Sequence, residues 1–171
     1  MMTLEEISAH SEIYQVLMRY CRGVDRSDVD LLKSVYHPGA LDRHGVFQGT
    51  GHEFAEYIVA NMEDSALSGQ HHITNVSIEM DGAYTARVES YYIAWHPVPD
   101  EETGGEQLVQ VGGRYLDKFE MREDIWLIAD RLVIIDWSEL GGTNTQWPNQ
   151  VAFPGGAPRE QDPSHAFFLG K

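Results

Sequence analysis

The sequence predicts an α+β fold in which helices come first and a meander of long antiparallel strands follows. Up to about residue 64 the apolar residues recur at helical spacing, and from residue 71 to 137 they run at strand spacing. Asp81-Gly82 and Arg122-Glu123-Asp124 sit between apolar runs where hairpin turns belong. A chain of 171 residues is long enough for one domain with a sizeable core.

Thr3 followed by Glu6 is a capping-box pattern that starts the first helix. Ile7, Ile13, Val16, Leu17, Tyr20 and Val24 give that helix an apolar face through Asp25, and Gly23 marks its exit. A second, shorter helix is expected from Ser27, carrying Val29, Leu31, Leu32 and Val35. His37-Pro38-Gly39 should stop it, because proline disfavours helical geometry in the residue before it. A short strand is expected over 40–47. A third helix follows over 52–64, with Phe54, Tyr57, Ile58 and Met62 on one side.

In the first long strand His72, Thr74, Val76, Ile78 and Met80 alternate with His71, Ile73, Asn75, Ser77 and Glu79. This alternation puts His71 on one face with Ile73 and Asn75, and His72 on the other. Further strands are expected over 83–96, 107–121 and 125–137, with an exposed loop over 97–106. Residues 141–171 show no period yet hold Trp147, Phe153, Phe167 and Phe168, more aromatic residues than a disordered tail carries. The expectation is a domain over 1–140 and an irregular tail that packs on the body, a neighbouring subunit or a pocket mouth.

Charge narrows the function. With 27 acidic against 12 basic side chains the net charge is −15, which repels phosphate backbones and anionic lipids. Nucleic acid and membrane are therefore not expected as partners. No apolar run approaches the ~20 residues that span a bilayer, and the N-terminus lacks a basic-then-apolar leader. The single cysteine, Cys21, has no partner for an intrachain disulfide, so a cytoplasmic location is expected. Phosphate-binding glycine loops, dinucleotide fingerprints, nucleophile elbows and paired-cysteine metal motifs are all absent from the sequence. Acid–base chemistry by scattered histidines and carboxylates remains.

Asp25 ends the first helix, where it either caps the next element or presents a carboxylate to a cavity. His71 and His72 point to opposite faces, so they do not readily chelate one metal ion. His71 is either a buried histidine bonded to backbone or a base. His96 closes the run Tyr91-Tyr92-Ile93-Ala94-Trp95-His96. Arg131 lies in an otherwise apolar strand, so it faces outward or joins an internal ion pair. Tyr115 offers a hydroxyl to a pocket or simply packs.

The order of these features resembles the SnoaL-like branch of the nuclear transport factor 2-like superfamily, in particular the scytalone dehydratase and lindane dehydrochlorinase group. The resemblance spans roughly residues 4–140. It rests on Gly23-Val24-Asp25-Arg26-Ser27-Asp28, on Gln70-His71-His72-Ile73-Thr74-Asn75, and on Ile125-Trp126 with Asp136-Trp137-Ser138-Glu139. It implies a curved antiparallel sheet wrapped around helices as a cone-shaped α+β barrel with an apolar pocket. It also implies that Asp25 and His71 are a catalytic pair and His96 a second catalytic histidine. Tyr20 falls where related bile-acid dehydratases have an active-site tyrosine. Tyr115 stands where scytalone dehydratase has an asparagine, and Arg131 where it has an apolar residue.

These readings together predict a cofactor-independent, dehydratase-like lyase for a small apolar cyclic hydroxy-carbonyl compound (aromatic, polyketide or steroid-like). His71 is the base, Asp25 its orienting partner and His96 the acid for the leaving group. Tyr20, Tyr115, Tyr92, Asn75 and Arg131 are the substrate-binding candidates, and no metal or organic cofactor is required. Of the eight histidines, only His71 and His96 stand out. An isomerase or cyclase of the same fold, a ligand-binding module and a dioxygenase small-subunit-like protein are the alternatives. Strands apolar on both faces predict a homo-oligomer, a dimer or trimer.

Overall fold

The computed structural model describes residues 1–62, 69–140, 158–161, 165 and 169. Helix α1 (Leu4–Asp25) begins with the expected reciprocal cap. The Glu6 N–H donates to the Thr3 hydroxyl at 3.1 Å, and the Thr3 N–H donates to the Glu6 carboxylate at 2.8 Å. Ile13, Val16, Leu17, Tyr20 and Val24 form its buried stripe, whereas Ile7 is exposed.

Helix α2 is short, Val29–Lys33, and starts two residues later than the sequence suggested, because Asp28 is its N-cap and accepts from the Leu31 N–H at 3.0 Å. Gly23 serves packing rather than helix exit: a Cβ there would lie 3.1 Å from the Leu32 backbone, so its absence lets α2 close on α1.

Strand β1 (Tyr36–His44) begins soon after α2, so His37-Pro38-Gly39 lies within a strand instead of ending a helix. Its pairing shifts between Tyr36 and Leu41, and proline, which cannot donate to a ladder, sits in that irregular stretch. Gly45, at φ 64°, turns the chain into β2 (Phe47–Thr50), so the expected single strand over 40–47 is a hairpin. Helix α3 (Gly51–Met62) follows, and then β3 (Gln70–Met80), β4 (Thr85–Pro99), β5 (Glu106–Arg122) and β6 (Ile125–Leu140). No helix among the described residues is long and apolar enough to cross a membrane.

The six strands form one open sheet in the order β2-β1-β6-β5-β4-β3. All neighbours are antiparallel except β1 and β6, which run parallel and are separated in the chain by β2, α3, β3, β4 and β5. The sheet is therefore mixed, not purely antiparallel. Helix α1 packs against both β3 and β6, three places apart in the sheet. One helix reaches both only if the sheet curves around it, as expected for the cone.

The strict alternation expected in β3 breaks at a register shift against β4 between Ile73 and Val76. His71 and Ile73 are partly buried before the shift, and Val76, Ile78 and Met80 after it, while Thr74 and Asn75 are both exposed. Such a bulge changes which parity of residues faces inward, so the strand can bury both His71 and its later apolar residues.

The core also encloses charge. Asp42, Arg131 and Asp117 are cross-strand neighbours on β1, β6 and β5, and all three are buried. Arg131 is thus an internal ion pair: its Nε and Nη2 each donate to the Asp117 carboxylate at 2.7 Å. Asp130, one residue earlier, instead pairs with Arg43 near the surface. Removing one member of a buried pair strands the other charge. Asp117→Ala is expected to lower unfolding free energy by about 3–5 kcal/mol in urea titration, and an effect below about 1 kcal/mol would contradict this role.

Candidate active site

Asp25 and His71 are brought together by the end of α1 and the start of β3. The Asp25 Oδ1 lies 2.7 Å from His71 Nδ1, and its Oδ2 accepts the His71 backbone N–H at 3.1 Å. Two contacts fix the carboxylate, and the carboxylate fixes the ring. With Nδ1–H donating to Asp25, the neutral imidazole keeps its lone pair on Nε2, the arrangement a base needs. The His71 side chain is only 4% exposed and that of Asp25 11%.

His96, near the C-terminal end of β4, packs edge-on against His71 with ring centroids 4.9 Å apart. Burial, together with the neighbouring charges of His71 and His44, pushes its pKa down to about 4. At neutral pH it is an uncharged imidazole, which can donate a hydrogen bond but is a poor source of a proton.

Beside this group the core holds an aromatic cage. The Arg131 guanidinium lies 4.0 Å from the Tyr20 ring centroid and 4.2 Å from that of Tyr115. Tyr115 stacks on Tyr92 at 4.4 Å, and the Tyr92 hydroxyl donates to the Ile134 carbonyl at 3.3 Å. Gly113 makes this possible, since a Cβ there would sit 2.8 Å from that hydroxyl and 2.0 Å from the Ile134 carbonyl oxygen. Burial raises the pKa of Tyr20 and Tyr115 well above the ordinary tyrosine value and pushes Tyr92 up to about 12. All three are neutral hydroxyls. Burial opposes the charge on Arg131, but Asp117 more than compensates and keeps it a guanidinium.

Of the residues expected at a site, the structure clusters Asp25, His71 and His96, and separately Tyr20, Tyr115, Tyr92 and Arg131. It does not add Asn75, which the β3 bulge leaves exposed. Cys21 is buried, and desolvation pushes its thiol up to about 12, so it is an inert core residue.

The sequence reading missed three polar core residues: Tyr36, Asp42 and His44. The Tyr36 hydroxyl donates to Asp42 at 2.6 Å, and His44 stacks on Phe54. The visible signal was the alternation of Asp42 and His44 within a short strand. Two clefts lined by described residues lie away from His71, one past Ser77, Arg87 and Leu116, the other beside Ala9, Met80 and Trp126.

The turn after α1 is held from the C-terminal side. The Arg159 N–H donates to the Arg26 carbonyl at 2.8 Å, and its Nε donates to the Ser27 carbonyl at 2.9 Å. Trp147, Phe153, Phe167 and Phe168 lie outside the described residues.

The chain belongs to the SnoaL-like domain family, whose model matches residues 5–132. Solved structures share the fold at low sequence identity. Hexachlorocyclohexane dehydrochlorinase LinA-type3 from Novosphingobium barchaimii superposes with a TM-score of 0.72 at 19% identity, covering 85% of this chain and 99% of that one. A candidate scytalone dehydratase from Novosphingobium aromaticivorans gives 0.71 at 17% identity, covering 84% and 94%. No curated protein matches the sequence.

His96 couples this cluster to stability. Its folded pKa of about 4 lies below the ordinary 6.5, so between these values the unfolded chain binds the extra proton. Unfolding free energy should fall as pH drops from about 6.5 to 4, by up to about 3 kcal/mol. Chemical denaturation across that range tests this, and His96→Leu should lack that part of the slope. An unchanged slope in the variant would reassign it.

Proposed function

We propose that the protein is a cofactor-independent lyase that eliminates water from a small cyclic hydroxy-carbonyl compound, with His71 as base and Asp25 as its orienting carboxylate. The observation that carries this reading is the 2.7 Å Asp25–His71 contact, with the same carboxylate anchored on the His71 backbone. His71 Nε2 removes the proton α to the carbonyl as enolate charge develops. Asp25 stabilises the imidazolium that forms. Arg131, neutralised by Asp117 and enclosed by the Tyr20 and Tyr115 rings, holds those two rings in place on this side of the core. Tyr92 supports the cage by stacking on Tyr115. His96, neutral and against His71, is a hydrogen-bond donor to substrate oxygen. The reaction as written needs no metal or organic cofactor. The dehydrochlorinase and the candidate dehydratase that share the fold are named for eliminations, which supports the same class.

A second reading, an isomerase or cyclase using the same base, draws on His96 itself, since a neutral imidazole is poorly suited to protonate a leaving hydroxyl. Product analysis separates the two, because only elimination releases water. A dioxygenase small-subunit-like protein has no need of a carboxylate–imidazole pair at these positions, so the 2.7 Å Asp25–His71 contact favours the catalytic readings.

With 3-hydroxycyclohexanone as probe, elimination to cyclohexenone is followed by its ultraviolet absorbance. His71→Ala and Asp25→Asn should each lower the rate by about 10²–10⁴-fold. A His71→Ala protein with full turnover would sink the proposal.

Self-association belongs to the same reading. On the outer sheet face Trp137, 45% exposed, lies over Gly112, and Tyr91, 41% exposed, is near it. Sedimentation at micromolar concentration should give the mass of two or three chains, whereas a clean monomer would refute it.

A further inference from the structure

Strand β1 carries a second carboxylate–imidazole pair. Asp42 and His44 are two residues apart, so their side chains share the inward face. Asp42 is fully buried, and its Oδ2 accepts from the Tyr36 hydroxyl. Its Oδ1 has no hydrogen-bond partner among the described residues and faces His44 Nδ1 at 3.5 Å. That ring nitrogen is likewise buried and unpartnered. A buried polar atom left unpaired costs about 1–3 kcal/mol, so a small closure that joins these two complementary atoms is favourable.

The His44 ring is already held by stacking on Phe54, at 4.4 Å between centroids and 12° between planes. Its side chain is 30% exposed. With Nδ1 buried against Asp42, Nε2 is the nitrogen able to meet a ligand. His44 lies within electrostatic reach of His96, which packs on His71. Asp42 has a rival partner in its cross-strand neighbour Arg131, whose Nε and Nη2 are engaged by Asp117 while its buried Nη1 has no hydrogen-bond partner among the described residues.

We propose that His44, oriented by Asp42, is the general acid that protonates the departing hydroxyl while His71 takes the α-proton. This rests on the elimination reading above. His71 Nε2 accepts the α-proton, and the C–H electron pair becomes the C=C bond. The C–O bond breaks with its pair going to oxygen, which takes the Nε2 proton of the His44 imidazolium and leaves as water. His71 ends protonated and His44 neutral, and proton transfer between them through solvent restores both.

The test uses 3-hydroxycyclohexanone and 3-chlorocyclohexanone, which give the same cyclohexenone, but chloride leaves without a proton. His44→Phe, which keeps an aromatic ring on Phe54, and Asp42→Asn should lower kcat on the hydroxyl probe by about 10²-fold. KM should change by less than about threefold, and turnover of the chloro probe should be unaffected. Equal losses on both probes, or no loss on either, would overturn the role of His44. Retention of both activities by His71→Ala would instead mean that the elimination reading has failed. A readout without substrate stands beside these: ¹⁵N chemical shifts of labelled histidines should place the neutral His44 proton on Nδ1, and Asp42→Asn should move it toward Nε2. A tautomer indifferent to Asp42 overturns the pairing whether or not either probe turns over.

Discussion

Arg131 is the constraint around which the interior is organised. A guanidinium without solvent is costly unless its charge and its donors are met. Here Asp117 meets two donors from the neighbouring strand, and the faces of Tyr20 and Tyr115 enclose the cation. The partners come from three elements: Tyr20 ties α1 to the sheet, Tyr115 and Asp117 come from β5, and Asp42 stands beside Arg131 on β1. The same side chain that demands these partners fixes how helix and strands meet.

The candidate site grows from that docking. Once Tyr20 is fixed in the cage, the last turn of α1 carries Asp25 to the far edge of the curved sheet, where β3 begins. The β3 bulge then lets one strand turn His71 inward and still bury Val76, Ile78 and Met80. Helix register, sheet curvature and one irregularity in pairing thus converge on a single carboxylate–imidazole contact.

Much of that site was legible in the chain. Asp25 could be read because a carboxylate at the end of a strongly apolar helical face is conspicuous, and Arg131 because a cation inside an apolar strand demands a partner. His71 and His96 stood out by their order along the strands. Asn75 was misplaced because strict alternation cannot foresee a bulge. Asp42 and His44 were overlooked because β1 pairs with β6, 89 or more residues later in the chain, and nothing local shows that this short strand is inserted beside Arg131. The segment over 36–39 was misread for a related reason, since Pro38 reads as a helix stop while the irregular parallel pairing allows it within a strand.

The sequence by itself determined the elements with local causes: the capped first helix, the hairpin turns, the long apolar strands and the class of fold they make. Periodicity and turn chemistry act over a few residues, so they are written in the order of the chain. Tertiary structure alone decided the parallel insertion of β1, the bulge in β3, the choice of Asp117 for Arg131, and the approach of His44 to Asp42. Those outcomes depend on which distant groups must share a space closed to water, and desolvated charge imposes that requirement only when the chain has folded.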